Sequence, residues 1–148
     1  MSRLELPEPM KVAAAIIYTP DFYILHERVK GVDNGETDKV GLPGGQFNAS
    51  KGDRTFSDTV SREIEEETGA HLKAELFHPE EIIYVASERD GKTIPVEAHI
   101  FSLYRDFGFK AELLENSVPM TEREIKIARI MGLLTSVASE SFAKIKGI

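Results

Sequence analysis

The chain has 148 residues, of which 41% are hydrophobic and 29% are charged, with a net charge of −7 and no cysteine. This length and composition predict one globular domain spanning residues 1-148. The absence of cysteine excludes disulfides and thiolate chemistry, and the acidic balance argues against a broad nucleic-acid-binding surface.

No apolar run reaches the roughly 20 residues that a membrane span needs. The first residues also lack the basic and then apolar layout of a secretory signal. We therefore expect a cytoplasmic protein with no membrane partner.

The first part of the chain predicts a β-hairpin and two loops. Residues 11–19 form a short apolar run that is typical of a buried strand, and a Pro-Asp turn predicts residues 22–29 as its antiparallel partner. The polar segment 31–39 contains Asn-Gly, which indicates a loop or hairpin tip. Residues 41–47, with three glycines, predict a turn, and a polar loop over 48–54 follows.

A capping box then predicts an amphipathic helix. Thr55 is followed three residues later by Asp58, which places the first helical residue at Phe56. Gly69 suits the position just after a helix, so we expect about 13 helical residues. A separate apolar stripe at i, i+4 and i+8 can face a core; its members are Phe56, Val60 and Ile64.

The second half predicts more strands and a last helix. Residues 72–77 and 81–87 favour strands, Asp-Gly at 90–91 predicts a hairpin with a returning strand over 94–104, and 109–113 favour a short strand. Thr121 and Glu124 form a second capping box, and the helix is expected to reach toward Ala143 with a break near Thr135–Ser136. Its predicted apolar face comprises Ile125, Ala128, Ile130, Met131 and Leu134. The element order predicts an α+β (mixed α/β) domain with helices packed on a sheet.

Four glutamates crowd the end of the first predicted helix. Like charges three and four residues apart destabilise a helix by about 0.2–0.5 kcal/mol a pair, so the cluster indicates a neutralising cation. At about 100° per residue, Glu63, Glu66 and Glu67 share one side of the helix, whereas Glu65 points elsewhere. The alternative is a solvated acidic face, which is the usual meaning of a run of charges.

Two segments together resemble the signature of the Nudix hydrolase family: Leu42-Pro-Gly-Gly45 and Arg62-Glu-Ile-Glu-Glu-Glu-Thr-Gly69. The family motif runs Gly, five residues, Glu, seven residues, then Arg-Glu-apolar-any-Glu-Glu-any-Gly-apolar. The second half matches at every specified position, with Ala70 as a small residue in the last apolar place. The resemblance thus extends from Gly45 to Ala70.

Two departures lie in the loop before the helix. Gly45 precedes Arg62 by seventeen residues instead of fourteen, so the loop is three residues longer than in the family. Arg54 stands where the motif has its first glutamate. Asp53 and Asp58 are both candidates to replace that acid, and Asp58 has the i, i+4 spacing to Arg62 that favours an ion pair.

The resemblance implies a sandwich in which helices flank a mixed sheet, and a divalent metal site. Mg²⁺ would be the cofactor, with Mn²⁺ as a substitute. The implied ligands are the three glutamates of the helix and the Gly44 carbonyl, and Glu97 on the 94–104 strand is a further candidate ligand or base, with His99 on the same face. Implied catalytic residues are Glu66, Glu63 and Arg62, the last as a group that orients carboxylates.

The same resemblance implies Mg²⁺-dependent hydrolysis of a pyrophosphate bond in a nucleoside diphosphate linked to another group, X. The partner would be a nucleotide-derived small molecule. Dimers are common in the family, so the resemblance also allows a homodimer. The alternative is a non-catalytic Nudix-like module that binds or senses a nucleotide. Arg54 and the longer loop favour that alternative; the retained glutamates favour the enzyme.

Overall fold

A computed structural model describes residues 8–28, 38–106 and 117–148. Within them, seven strands form one mixed sheet: β1 (Met10–Tyr18), β2 (Tyr23–Glu27), β3 (Val40–Gly41), β4 (Gly44–Gln46), β5 (His78–Arg89), β6 (Lys92–Tyr104) and β7 (Ser117–Met120). The strand predicted at 109–113, Val29 and the loop over 31–37 lie outside the described residues.

The sheet order is β3-β2-β1-β6-β5, with β4 also paired to β1 and β7 paired to β2. β1 runs antiparallel to β2, with Ile17 opposite Ile24, which confirms the predicted hairpin. β1 runs parallel to β6 along its whole length, with Ala13 opposite His99. The long β5–β6 hairpin is antiparallel and turns at Asp90–Gly91, as predicted.

In the described part of the chain, three α-helices cover the sheet: α1 (Phe56–Thr68), α2 (Glu122–Ile130) and α3 (Ser136–Ser141), the last continued by a π-helical segment over Phe142–Lys146. Two buried apolar clusters lie on opposite faces. Alternate residues of β1 point to each: Ala13 packs in the cluster that contains Val60 of α1, whereas Ala14 packs in the cluster that contains Ile125 of α2 and Phe142. This two-faced core confirms the α+β sandwich.

Local signals determine the bounds of α1. The Thr55 hydroxyl accepts a hydrogen bond from the Asp58 N–H at 3.2 Å, and the Asp58 carboxylate accepts one from the Thr55 N–H at 2.9 Å. At the other end Gly69 has φ of 78°, and its N–H donates to the Glu65 carbonyl at 2.8 Å. The predicted start at Phe56 and the predicted end are confirmed.

The strand predicted over 72–77 is wrong, since Ala74–Leu76 form a 3₁₀ turn. Leu72 and Phe77 are both buried in the cluster beneath α1. Residues five apart lie on opposite faces of a strand, so a strand would bury only one of them. The tight turn brings both onto one side.

The turn predicted over 41–47 is wrong for most of its length, because β3 and β4 lie on either side of Leu42–Pro43. Gly44 makes this pairing feasible. It has φ of 152°, and a Cβ there would lie 2.6 Å from the Ala14 Cα atom. Only glycine allows β4 to approach β1 so closely.

The predicted break in the last helix is confirmed between Ile130 and Ser136, but its predicted apolar face is partly wrong. Ile125, Ala128 and Leu134 are buried, whereas Ile130 is 86% exposed and Met131 is 66% exposed. Ile130 lies about 140° around the helix from Ile125, which turns it to solvent. None of the described helices is long and apolar enough to cross a membrane.

Candidate metal and active site

The site begins where α1 packs against β4. A Cβ built on Gly45 would lie 2.6 Å from one Glu63 carboxylate oxygen and 2.8 Å from the other. The carboxylate therefore lies directly on the backbone of β4, and any side chain at position 45 would displace it. This contact explains in physical terms why a glycine precedes the glutamate-rich helix.

Arg62 connects the elements of the site. Its Nε and Nη2 donate to the two oxygens of Asp53 at 2.9 and 2.8 Å, a bidentate pair. Its Nη1 donates to Glu63 at 3.0 Å and to Glu66 at 3.3 Å, and Nη2 also donates to the Gln46 carbonyl at 3.1 Å. One guanidinium thus joins the loop, β4 and two carboxylates of α1.

Asp53 is the acid that pairs with Arg62. Its carboxylate is buried and also accepts hydrogen bonds from the Asn48 N–H at 3.0 Å and the Thr59 hydroxyl at 2.9 Å. The hydrogen bonds from Arg62, together with those from Asn48 and Thr59, lower the pKa of Asp53 to about 2, although burial opposes the shift. Asp53 therefore stays ionised at neutral pH.

Asp58, the other candidate, has a different function. Its carboxylate accepts from the N–H groups of Arg54 and Thr55 at 3.0 and 2.9 Å, which also lower its pKa. The i, i+4 ion pair with Arg62 that its spacing favours is not formed in the structure. Arg54 itself is exposed. Asp53, the buried neighbour of Arg54, thus supplies a carboxylate close to the position where the motif has a glutamate.

The glutamates of α1 have distinct surroundings. Burial raises the pKa of Glu63, while Arg62 opposes that shift. Glu66 exposes 45% of its side chain. Glu65 is exposed, 3.2 Å from His71, in agreement with the expectation that it points elsewhere.

Glu67 faces β2, where one of its oxygens lies 3.8 Å from Nδ1 of His26. His26 is buried, and sequence analysis did not identify it as a site residue. The available signal was the alternation of β2, because Ile24 packs in the cluster beneath α1 and His26, two residues on, points to the same face.

Glu97 contacts His99 on the same strand. Its Oε2 is 2.8 Å from Nε2 of His99, whose ring stacks on Phe56 with a centroid distance of 3.5 Å. Phe56 is the first residue of α1, about 10 Å along the helix axis from Glu63 and about 16 Å from Glu67. Glu97 is thus linked through His99 to the first turn of α1, and its role as a ligand or base stays a prediction.

Among the residues that the structure describes, no group of three acidic or histidine side chains is arranged as a complete metal centre. The donor set nevertheless fits Mg²⁺ in kind. Mg²⁺ prefers oxygen ligands, keeps several waters and needs only one or two carboxylates together with substrate phosphates. Glu63 and Glu66 supply carboxylates on one side of Arg62, and Glu63 lies against the glycine backbone of β4.

No protein-family model and no curated protein matches the chain. Solved structures do match. A MutT protein from Methanosarcina mazei Go1 is 22% identical with a TM-score of 0.64, over 97% of each chain. The NUDIX domain of Shewanella oneidensis NrtR, complexed with ADP ribose, is 12% identical with a TM-score of 0.66, over 96% of this chain and 89% of that one.

A third similar structure is a bifunctional NMN adenylyltransferase/ADP ribose pyrophosphatase from Francisella tularensis, complexed with AMP and a manganese ion. It is 16% identical with a TM-score of 0.70 over 96% of this chain, which spans only 42% of that longer protein. The shared architecture, mixed sheet and flanking helices together identify this chain as having the Nudix fold.

Proposed function

We propose that the protein is a Mg²⁺-dependent nucleotide pyrophosphohydrolase that cleaves a pyrophosphate bond in a nucleoside diphosphate derivative, with Mn²⁺ able to replace Mg²⁺. The observation that carries this proposal is the cluster around Arg62. Its guanidinium contacts Glu63 and Glu66 and is itself held by the buried Asp53. Hydrogen bonds that fix the orientation of a carboxylate from behind, as Arg62 and Asp53 do here, are typical of carboxylates that bind a metal.

In this proposal Glu63, Glu66, Glu67 and the Gly44 carbonyl hold the metal. When bound, the metal would neutralise charge on the pyrophosphate and activate a water molecule. Arg62 orients the carboxylates. Glu66 is more exposed than Glu63, the other α1 carboxylate that Arg62 contacts, so it is the better placed to take a proton from water.

The nucleotide nature of the substrate is supported by what two similar proteins bind. The Shewanella domain was crystallised with ADP ribose, and the Francisella protein with AMP and manganese. The cytoplasmic location and a homodimer stay predictions.

The alternative, a non-catalytic nucleotide-binding or sensor module, is disfavoured by the same cluster. We expect a module without catalysis to lose such carboxylates, whereas this chain keeps three on α1 together with an arginine held by a buried acid. The lengthened loop that favoured this alternative supplies Asp53, which holds Arg62 in place.

A substrate screen tests the proposal. The wild-type protein would be incubated with nucleoside triphosphates, nucleoside diphosphate sugars and dinucleoside polyphosphates, with Mg²⁺, with Mn²⁺ or with EDTA, and release of phosphate or nucleotide would be measured. We expect metal-dependent turnover of at least one class. Tight nucleotide binding without turnover under any metal condition would support the sensor module instead.

A further inference from the structure

The sheet ends in a long strand that is paired on one side. Among the described strands, β5 pairs only with β6, and it lies at one end of the sheet order. With 12 residues it is much longer than β3, the two-residue strand at the other end. Backbone N–H and C=O groups along an edge strand are ready to pair with a further strand. In the described part of the chain, β5 thus offers an edge to which another strand can be added.

Natural sheets usually block such edges with proline, charged side chains, bulges or short strands. β5 has these features only at its ends. Pro79 and a register shift before Glu81 mark the first end, and Glu88 and Arg89 mark the other. The six residues over 82–87 read Ile-Ile-Tyr-Val-Ala-Ser and contain neither proline nor charge. This composition favours strand pairing along about 20 Å of edge.

Apolar side chains of the same segment lie on the protein surface. Ile82 is 45% exposed and Tyr84 is 66% exposed, and Ala86 on the same face is also exposed. This face of β5 is on the α1 side of the sheet, because Ile82 lies opposite His99, whose ring stacks on Phe56. Contiguous exposed apolar residues of this kind mark interaction sites.

An apolar groove continues this surface toward the start of β1. Its lining includes Tyr84 and Ala86 of β5, Pro95 of β6 and Pro9. Glu8 is the one charged residue among the described residues that line it. The groove is therefore suited to an apolar side chain and not to a phosphate or another anion.

We propose that two copies of this chain associate through their β5 strands, which pair antiparallel about a two-fold axis perpendicular to the sheet. The edge of a strand is complementary to itself in this arrangement, since each copy offers the same donors and acceptors in the opposite direction. A second copy therefore pairs the edge without any other kind of molecule. The association needs none of the α1 residues that are proposed to hold metal.

The side chains select one register for this pairing. With the axis beside Tyr84, this residue lies opposite itself, and Ile82 of each copy lies opposite Ala86 of the other. A large side chain then meets a small one next to the apolar groove. An axis beside Val85 would instead place Ile82 opposite the Glu88 carboxylate. The register centred on Tyr84 thus keeps apolar residues together.

The charged ends of β5 are compatible with this register. It places Glu80 near Glu88 of the other copy, and like charges opposite each other destabilise a strand pair. Both carboxylates are bonded to hydroxyl groups of β6, however. Glu80 accepts from Ser102 at 2.6 Å, and Glu88 accepts from Thr93 at 3.1 Å. These bonds hold both carboxylates toward β6, away from the free edge, which reduces the repulsion.

Sedimentation equilibrium of the full chain tests the association. Six paired residues make a small interface, so we expect a dimer with a dissociation constant in the micromolar range. Tyr84→Lys should weaken the dimer at least about tenfold, because lysine on an edge strand opposes pairing and would lie beside its own copy. A wild-type chain that stays monomeric up to about 500 µM would overturn the proposal, and so would a dimer that Tyr84→Lys leaves unchanged.

Ile130→Lys is the matched control. Ile130 is 86% exposed on α2, and α2 packs on the other face of the sheet. The substitution adds the same charge and removes an exposed apolar side chain, so the dissociation constant should stay within about threefold of wild type. An equal loss in Tyr84→Lys and Ile130→Lys would attribute the association to general charge or apolar contact and contradict the β5 interface.

Single-cysteine variants report the register, because the chain has no cysteine of its own. Cβ atoms directly opposite each other in an antiparallel pair are about 4.5–5.5 Å apart, so a small movement brings two cysteines within disulfide range. Tyr84→Cys should therefore form a linked dimer under mild oxidation. Leu76→Cys, on the exposed 3₁₀ turn, should not. Equal cross-linking of the two variants would contradict pairing at Tyr84.

Hydrogen exchange of the wild-type protein tests the interface without any substitution, so it stands even if a variant does not fold. Amides of residues 82–87 should exchange more slowly at a concentration where the dimer forms than after dilution, because their free N–H groups become paired. Amides of α2 should exchange equally at both concentrations. Protection that appears elsewhere in the chain but not over 82–87 would overturn the proposal.

Discussion

The acidic side chain at the start of α1 and those around Arg62 differ in which parts of the chain they hold together. At the start of the helix, Asp58 bonds to N–H groups three and four residues away. Farther along, Arg62 joins Glu63 to Asp53, nine residues before it, and to the Gln46 carbonyl, sixteen residues before it. The first region organises local backbone, whereas the second holds three distant pieces of chain together. We therefore expect Asp58 to matter mainly for folding and the carboxylates around Arg62 to matter for the proposed activity.

The largest expected effect is on catalysis. Glu66→Gln or Glu67→Gln should lower kcat/KM by about 10²- to 10³-fold, because losing a metal ligand removes several kcal/mol of transition-state stabilisation. Steady-state rates on the best substrate of the screen would measure this. Glu65→Gln is the control, since Glu65 is exposed on the same helix, and its rate should equal that of the wild type. Full activity in Glu66→Gln or Glu67→Gln would show that the assigned metal site is wrong.

The next effect concerns the acid that replaces the motif glutamate. Asp53→Asn removes the buried, bidentate partner of Arg62, which keeps only its contacts with Glu63 and Glu66, and should cost about 3 kcal/mol of unfolding free energy, as for other broken buried pairs. It should also lower kcat by about 10- to 100-fold, because the carboxylates lose their bracing. Urea unfolding and rate measurements at neutral pH would test both. Stability loss with unchanged kcat would make Asp53 purely structural.

Acid pH should weaken the same pair. The folded pKa of Asp53, about 2, is below the usual 3.8, so its contribution is fully present above pH 3.8 and is lost as the pH falls toward 2. That contribution is about 2 kcal/mol. Unfolding free energies at pH 6 and pH 2.5 should therefore differ less in Asp53→Asn than in the wild type. Parallel curves for the two proteins would contradict the assignment.

The smallest effect is expected at the cap. Asp58→Asn keeps an acceptor for the Thr55 and Arg54 N–H groups, so it should cost about 1 kcal/mol or less. Its kcat should stay within about twofold of wild type, because no contact links it to Arg62 in the described structure. A kcat loss comparable to that of Asp53→Asn would contradict the assignment of Asp58 to helix capping alone.

The same comparison shows what the sequence can predict. The bounds of α1 follow from Thr55, Asp58 and Gly69, whose interactions are local, and the grouping of Glu63, Glu66 and Glu67 on the helix was expected from its periodicity. The Asp-Gly pair at 90–91 likewise located the β5–β6 hairpin. These are short-range properties that a single sequence contains.

Contacts that depend on tertiary packing were harder to predict from the sequence. Helical spacing favoured Asp58 as the partner of Arg62, but the lengthened loop folds back and brings Asp53 to it instead. His26 reaches Glu67 only because β2 and α1 meet on one face of the sheet.

The most direct test of the central claim is Mn²⁺ binding, followed by loss of the free-ion EPR signal. Titrations would compare the wild type, Glu66→Gln and Glu65→Gln under identical conditions. If the carboxylates beside Arg62 form the metal site, Glu66→Gln should bind Mn²⁺ at least about tenfold more weakly, whereas Glu65→Gln should match the wild type. The same affinity in all three proteins would contradict a metal site on α1.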